Sequence, residues 1–279
     1  MSKVILITGT SSGLGASVAA AAAKLGHKVY ATMRDVTKGE TLAATSPDIS
    51  VLPMDVQDSA SVEQAVAAII AKEGHIDVLI NNAGIGFVRS TEQATLDDVN
   101  RIMDVNFMSV VRTCKAVIPL MRKARSGHII NITSVGGLVG QPFNEVYCAS
   151  KFAIEGYTEA LATYVQPNFN IKFSLIEPGG IKSEFANTAM KQVSQTGGML
   201  DDEYLPIIKR YLDGMQSRGD TAYQTSEQVA EVVIGCMQEA DPPLRVRTSA
   251  WAEDFCSLKT SEDPTGTIIR DRVIKRFLP

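Results

Sequence analysis

Two side chains set the chemistry that this chain could perform. Tyr147 and Lys151 stand four residues apart in Val146-Tyr147-Cys148-Ala149-Ser150-Lys151. The run that follows, through Tyr164, has helical character, so phenol and ammonium should share one helix face. A cation fixed beside a phenol favours phenolate, which draws a group of ordinary pKa ~10 toward the pH at which it can exchange protons. Alone, such a pair is more often a surface contact, so its company decides. Ser134 ends the apolar run His128–Thr133; its hydroxyl could donate to a substrate oxygen or simply close a serine turn. Asn106 sits inside a long apolar helical stretch, where an amide is unfavourable unless something bonds to it.

A second cluster concerns phosphate. The apolar strand Lys3–Thr8 runs into Thr8-Gly9-Thr10-Ser11-Ser12-Gly13-Leu14-Gly15, and Ala16 to Leu25 is helix-forming throughout. A glycine-rich turn between strand and helix lets backbone N–H groups and the helix dipole face a pyrophosphate. The spacing here is G-x-x-x-G-x-G, unlike the G-x-G-x-x-G fingerprint. The next strand, Lys28–Met33, ends at Met33-Arg34-Asp35. An acid about 20 residues past the glycines would accept from a ribose hydroxyl, whereas arginine suits a 2′-phosphate. Arg34, with Ser11 beside it, predicts NADP(H); the rival is Asp35 turning inward to accept NAD(H).

These groups need a frame. Strands predicted at 49–54, 76–80, 128–133, 171–176 and 244–247 alternate with helices at 59–73, 96–122, 147–164 and 226–239. That alternation predicts one α/β domain over 1–279, a doubly wound Rossmann-type sheet of about seven mainly parallel strands with helices on both faces. Ligands in such sheets lie outside the carboxyl ends of the strands. Gly9 to Gly15, Arg34, Asp55 and Asn81-Asn82-Ala83-Gly84 all fall there, although Asp55 could serve as a helix cap and the asparagines as an Asx turn. Residues 185–225, with several Met and Tyr, read as a substrate lid, and 251–279 as a C-terminal extension whose basic residues form a solvated face. The stretch from Leu96 to Arg122 is apolar around most of its circumference, which predicts a homodimer or homotetramer built with the helix near Tyr147.

Composition narrows the classes. A net charge of −4 with 21% charged residues argues against a nucleic-acid surface. No apolar run reaches the ~20 residues of a membrane span. The four cysteines have no paired spacing, so neither a metal site nor a disulfide framework is expected and a reducing cytoplasm is the default.

Taken together, Thr8-Gly9-x-x-x-Gly13-x-Gly15, Asn81-Asn82-Ala83-Gly84, Asn106, Ser134, Tyr147-x-x-x-Lys151 and Pro178-Gly179 resemble the classical short-chain dehydrogenase/reductase family over roughly residues 1–250. The resemblance implies that Tyr147 exchanges the proton with the substrate oxygen while Lys151 lowers its pKa and holds the nicotinamide ribose. Ser134 would orient the oxygen, and Asn106 would hold a water linking Lys151 to solvent. It further implies a cofactor site formed by Gly9, Ser11, Ser12, Gly13, Leu14, Gly15, Asn82, Ala83, Gly84, Pro178 and Gly179, with Asp55 and Val56 flanking the adenine and Ile181 and Ser183 holding the carboxamide. Ala31-Thr32-Met33-Arg34-Asp35 and Ile176-Glu177-Pro178-Gly179 look more narrowly like the NADP-dependent hydroxysteroid and retinol dehydrogenase branch. Ser134, Phe143, Asn144, Tyr147 and Phe185, with Leu138, Val139 and Met190, would then line a site for a mainly apolar ketone or secondary alcohol. The alternative function is a non-catalytic NADP(H)-sensing regulator on the same fold.

Overall fold

The computed structural model describes residues 2–182, 198 and 200–277. Strand β1 (Val4–Thr8) is buried along its whole length, and its side chains alternate: Val4 and Leu6 point into one core, Ile5 and Ile7 into another. That two-residue period requires helices on both sides of the sheet. With β2 (Lys28–Met33), β3 (Ile49–Pro53), β4 (Val78–Asn81), β5 (Gly127–Ile132), β6 (Ile171–Glu177) and β9 (Arg245–Arg247), it forms one sheet of order β3-β2-β1-β4-β5-β6-β9. Every pairing is parallel. Two short strands, β7 (Ile181–Lys182) and β8 (Gln224–Thr225), pair apart from it.

Helices α3 (Ser59–Glu73), α5 (Ser109–Ala124) and α6 (Glu145–Phe169) cover one face, packing Ile69, Val117 and Ile154 against Leu79, Ile129 and Phe173. Helices α1 (Gly13–Lys24) and α8 (Ser226–Gln238) cover the other, with Val18 and Val233 against Ile7, Ile80 and Ile176. A short α2 (Glu40–Ala43) lies beside β3. The strand order reverses between β1 and β4, so the crevice at their carboxyl ends is where this topology places a ligand.

A buried polar chain ties the central strands to their covering helices. Thr113 donates to Asn81 Oδ1 (2.7 Å), Asn81 Nδ2 to Asn131 Oδ1 (2.8 Å), and Asn131 Nδ2 to the Thr158 hydroxyl (2.9 Å). Each link has its partner, and satisfied buried networks rigidify what they cross; here that is the ends of β4 and β5.

One expectation needs correcting and another is extended. The helix predicted from Leu96 to Arg122 is divided: α4 (Leu96–Met103) opens with the expected Thr95/Asp98 capping box, a π-helical turn follows over Asp104–Met108, and α5 then begins. Such a turn widens the helix locally, and π-bulges gather at functional sites; this one contains Asn106. The C-terminal segment is also more than a solvated face. Beyond α7 (Leu205–Ala222) and β9 it folds into α9 (Ala250–Thr260) and α10 (Thr267–Phe277). Ala252 and Cys256 of α9 are buried against Val135 and Leu138.

Candidate active site

The glycine turn is shaped by close backbone approach. Gly9 has φ +70°, and a Cβ there would lie 2.7 Å from Ala83 Cα; one on Gly15 would meet Gly9 O at 2.4 Å and Asn82 Nδ2 at 2.5 Å. Only glycine fits either position. The Asn81–Gly84 stretch braces this turn. Asn82 Nδ2 donates to Thr8 O and Gly9 O, both at 2.9 Å, and the Thr8 hydroxyl accepts the N–H groups of Asn82 and Ala83. Ser12 precedes α1 without forming a side-chain cap, and Ser11 and Ser12 are exposed. A turn that lacks Cβ atoms at Gly9, Gly13 and Gly15, ahead of an uncapped helix start, fits a pyrophosphate.

At the end of β2, Met33 is buried and Arg34 exposed. Asp35 is committed elsewhere: it accepts from the Thr37 N–H (3.2 Å) and the Thr37 hydroxyl (2.6 Å), which hold its carboxyl below its usual pKa. Asp55 forms a turn by accepting the Gln57 N–H, while Asp58 caps α3. Val56 is half-buried nearby.

The proton-handling groups meet at the carboxyl end of β5. Lys151 is buried and donates to Ile132 O at 2.9 Å. Its Nζ is 5.8 Å from the centre of the Tyr147 ring. The Ser134 hydroxyl accepts the Gly136 N–H (3.0 Å), lies 3.5 Å from Pro178 O, and pairs with the Tyr147 hydroxyl. Here the sequence reading needs revision. Burial pushes the Tyr147 phenol up to about 12, partly opposed by Ser134, and pushes the Lys151 ammonium down to about 8, partly opposed by Glu155. Removal of water from the phenol favours its neutral form, so it keeps its proton at neutral pH.

Asn106 stands against the same lysine: a Cβ on Gly84 would lie 3.4 Å from Asn106 Oδ1 and 3.7 Å from Lys151 Nζ. Its side chain accepts the Ile85 N–H (2.8 Å) and donates to Ile85 O and to the Ser150 hydroxyl, each at 3.0 Å. It therefore pins the loop after β4 to α6. Asn106→Ala, which leaves the Ile85 groups without that partner, should cost about 1–3 kcal/mol, read as a lower urea midpoint at unchanged slope.

The remaining expected residues divide. Phe143 (φ +61°) packs with Val88 and Ile208, and Tyr211 of α7 lies 5.9 Å away. Asn144 Nδ2 donates to the Tyr211 hydroxyl at 2.9 Å. Leu138 and Val139 instead pack beneath α9. Pro178 O receives the Val135 N–H, and a Cβ on Gly179 would lie 2.9 Å from the Trp251 ring. Ile181 is half-buried in β7; Ser183, Phe185 and Met190 lie outside the described residues. Trp251 and the acidic Glu155 escaped the sequence reading: Glu155 continues the four-residue spacing of Tyr147 and Lys151, whereas only the fold brings Trp251 to the strand ends.

Comparison with known proteins agrees with this geometry. The family model described as short chain dehydrogenase matches residues 3–194. The 3-ketodihydrosphingosine reductase of Bacteroides thetaiotaomicron is 46% identical over 200 residues, covering 72% of this chain and 71% of that protein. Retinol dehydrogenase 8 of Bos taurus is 38% identical over 276 residues, covering 95% and 87%. A solved short-chain dehydrogenase from Streptomyces avermitilis superposes with a TM-score of 0.80 at 27% identity, covering 99% and 98%.

Proposed function

Since the chain belongs to the short-chain dehydrogenase family, we propose that it is an NADP(H)-dependent oxidoreductase interconverting a mainly apolar ketone and its secondary alcohol, with Tyr147 as general acid and base. The observation that carries this reading is the meeting of Ser134, Tyr147 and Lys151 at the end of β5, beside the crevice between β1 and β4. When bound, the dinucleotide supplies or takes up the hydride. Ser134 holds the substrate oxygen by a hydrogen bond. The Tyr147 hydroxyl passes its proton to that oxygen in reduction and recovers it in oxidation, and the Lys151 charge stabilises the phenolate between the two.

Arg34 supports the phosphate-bearing cofactor: it is exposed at the corner of β2 while Asp35 is turned onto Thr37. A charge-assisted pair contributes about 1.5–3 kcal/mol, so Arg34→Ala should lower the preference for NADPH over NADH at least about tenfold. An unchanged ratio of catalytic efficiencies would remove this assignment. Phe143, Asn144 and Tyr211 support an apolar site beside α7, and two relatives bear the names of a retinol and a 3-ketodihydrosphingosine enzyme. Exposed Met108 of the π turn, with Phe152 and Tyr164 of α6, support a homodimer or homotetramer, and free buried cysteines suit a cytoplasmic setting. Among the described residues no helix is long and apolar enough to cross a membrane.

The second reading, a dinucleotide sensor, leaves the paired Ser134 and Tyr147 without a task. A purified protein that binds NADPH yet oxidises it with no member of a panel of ketones and aldehydes would favour the sensor.

A further inference from the structure

One side of α6 carries a third ionisable group in series with the two already described. Tyr147, Lys151 and Glu155 follow one another at four-residue intervals, so Glu155 lies one turn beyond the lysine on the same face. It is buried, and a Cβ on Gly137, in the turn that follows Ser134, would lie 3.0 Å from its Cγ. Across from it, at the end of β6, stands the fully buried Glu177, within hydrogen-bonding reach of Glu155.

The surroundings do not supply enough donors for two carboxylates. The Thr133 hydroxyl lies beside Glu155 but donates to Ile176 O at 3.1 Å, so both Glu155 oxygens and Glu177 Oε1 lack a donor of good geometry, and the Arg245 Nε–H lacks an acceptor. Arg245 Nε sits between the two acids, 3.5 Å from Glu155 Oε2 and 3.6 Å from Glu177 Oε1, too far for a full hydrogen bond to either. Arg247 bonds Glu177 Oε2 at 3.0 Å but divides its charge with Glu253, at 2.7 Å. Glu159, also on α6, pairs with the far end of Arg245, and Cys256 of α9 adds only a buried neutral thiol. Two facing, buried carboxyls with orphaned oxygens are relieved when one proton sits between them. Burial pushes Glu155 up to about 7, while burial and the neighbouring Glu155 charge push Glu177 up to about 9.

We propose that Glu155 and Glu177 act as one acid that shares a proton, and that the charge left on this pair is the counter-ion that keeps Lys151 protonated. Glu155 is thus a positioning residue: it touches neither substrate nor cofactor and acts through the lysine. The inference rests on the proposed function and names a control on that same site. Its sign follows from the chain of charges. Desolvation alone favours a neutral Lys151 amine, and the Glu155 charge opposes this. A neutral amine leaves the phenolate of Tyr147 without its cation, so reduction should fail as pH rises through the lysine titration.

The test is the pH profile of kcat/KM for ketone reduction in Glu155→Gln and Glu177→Gln. Glu155→Gln removes the counter-ion while keeping the shape, so the alkaline limb should move about one unit or more toward lower pH. Glu177→Gln leaves Glu155 without a competitor for the negative charge, so the limb should move the opposite way. Displacements of opposite sign support the proposal; limbs that stay in place, or move together while activity falls, overturn it. If Glu155→Gln does not fold, the infrared spectrum decides. The wild type at neutral pH should show a buried protonated carboxyl that is lost in Glu177→Gln, and its absence from the wild type would refute the shared proton. A wild type without reductase activity would instead strike at the proposed function, and the infrared band would still judge the acid pair by itself.

Discussion

Tyr147→Phe should abolish most turnover while leaving dinucleotide affinity nearly unchanged. The phenol pairs with the Ser134 hydroxyl at the end of β5, and removing a positioned general acid costs about 10²–10⁴-fold in rate. The ring itself, stacked over Lys151, remains in the variant, so packing should survive and the loss should fall on kcat rather than on stability. Titration adds a direction. With the phenol pushed up to about 12, nearly all of it is protonated at neutral pH, so reduction has its acid ready. Alcohol oxidation needs the phenolate with the Lys151 cation beside it, so its rate should climb from neutral pH until the lysine loses its proton. A Tyr147→Phe protein with wild-type kcat, or an oxidation rate indifferent to pH, would assign the proton step elsewhere.

Gly15→Ala should have the other large effect, and on different observables. The added methyl would sit 2.4 Å from Gly9 O and 2.5 Å from Asn82 Nδ2, with backbone on one side and a doubly engaged amide on the other. Neither can yield cheaply. Overpacking of this kind costs about 1–3 kcal/mol, which should appear as a lowered Tm, and displacement of the turn should weaken NADPH binding by at least about tenfold in a fluorescence titration. Gly140→Ala is the control, because a Cβ there would meet nothing within 4 Å. If Gly15→Ala bound NADPH like the wild type, the glycine turn would not be the phosphate cradle.

Much of the molecule was readable from residue order, and the boundary of what was readable has physical causes. Buried parallel strands such as Val4–Thr8 announce themselves as nearly unbroken apolar runs, and the glycines of the first turn, with Asn82, sit in positions that backbone sterics impose. Tyr147 and Lys151 are set by helical period. What escaped depends on tertiary approach. The π turn at Asn106 arises where α4 and α5 share one axis yet the amide must reach Ile85 and Ser150, a demand invisible in a helical pattern. Asn81 reads as part of a ligand-facing strand end, with an Asx turn as the alternative, but its side chain is consumed by Thr113 and Asn131, which come from two other elements. The buried acids Glu155 and Glu177 are 22 residues apart in sequence and meet only because α6 crosses the end of β6. The direction of the Tyr147 shift was misjudged because the pairing rule counts the nearby cation and omits the water that burial removes.

The most direct measurement is the decay of NADPH absorbance when the purified protein is given a panel of ketones graded from small and charged to large and apolar. The account predicts decay with large apolar ketones, little with charged keto acids, and almost none in Tyr147→Phe although that variant still binds NADPH. Tight NADPH binding with no decay across the whole panel, or decay that persists undiminished in Tyr147→Phe, would contradict it.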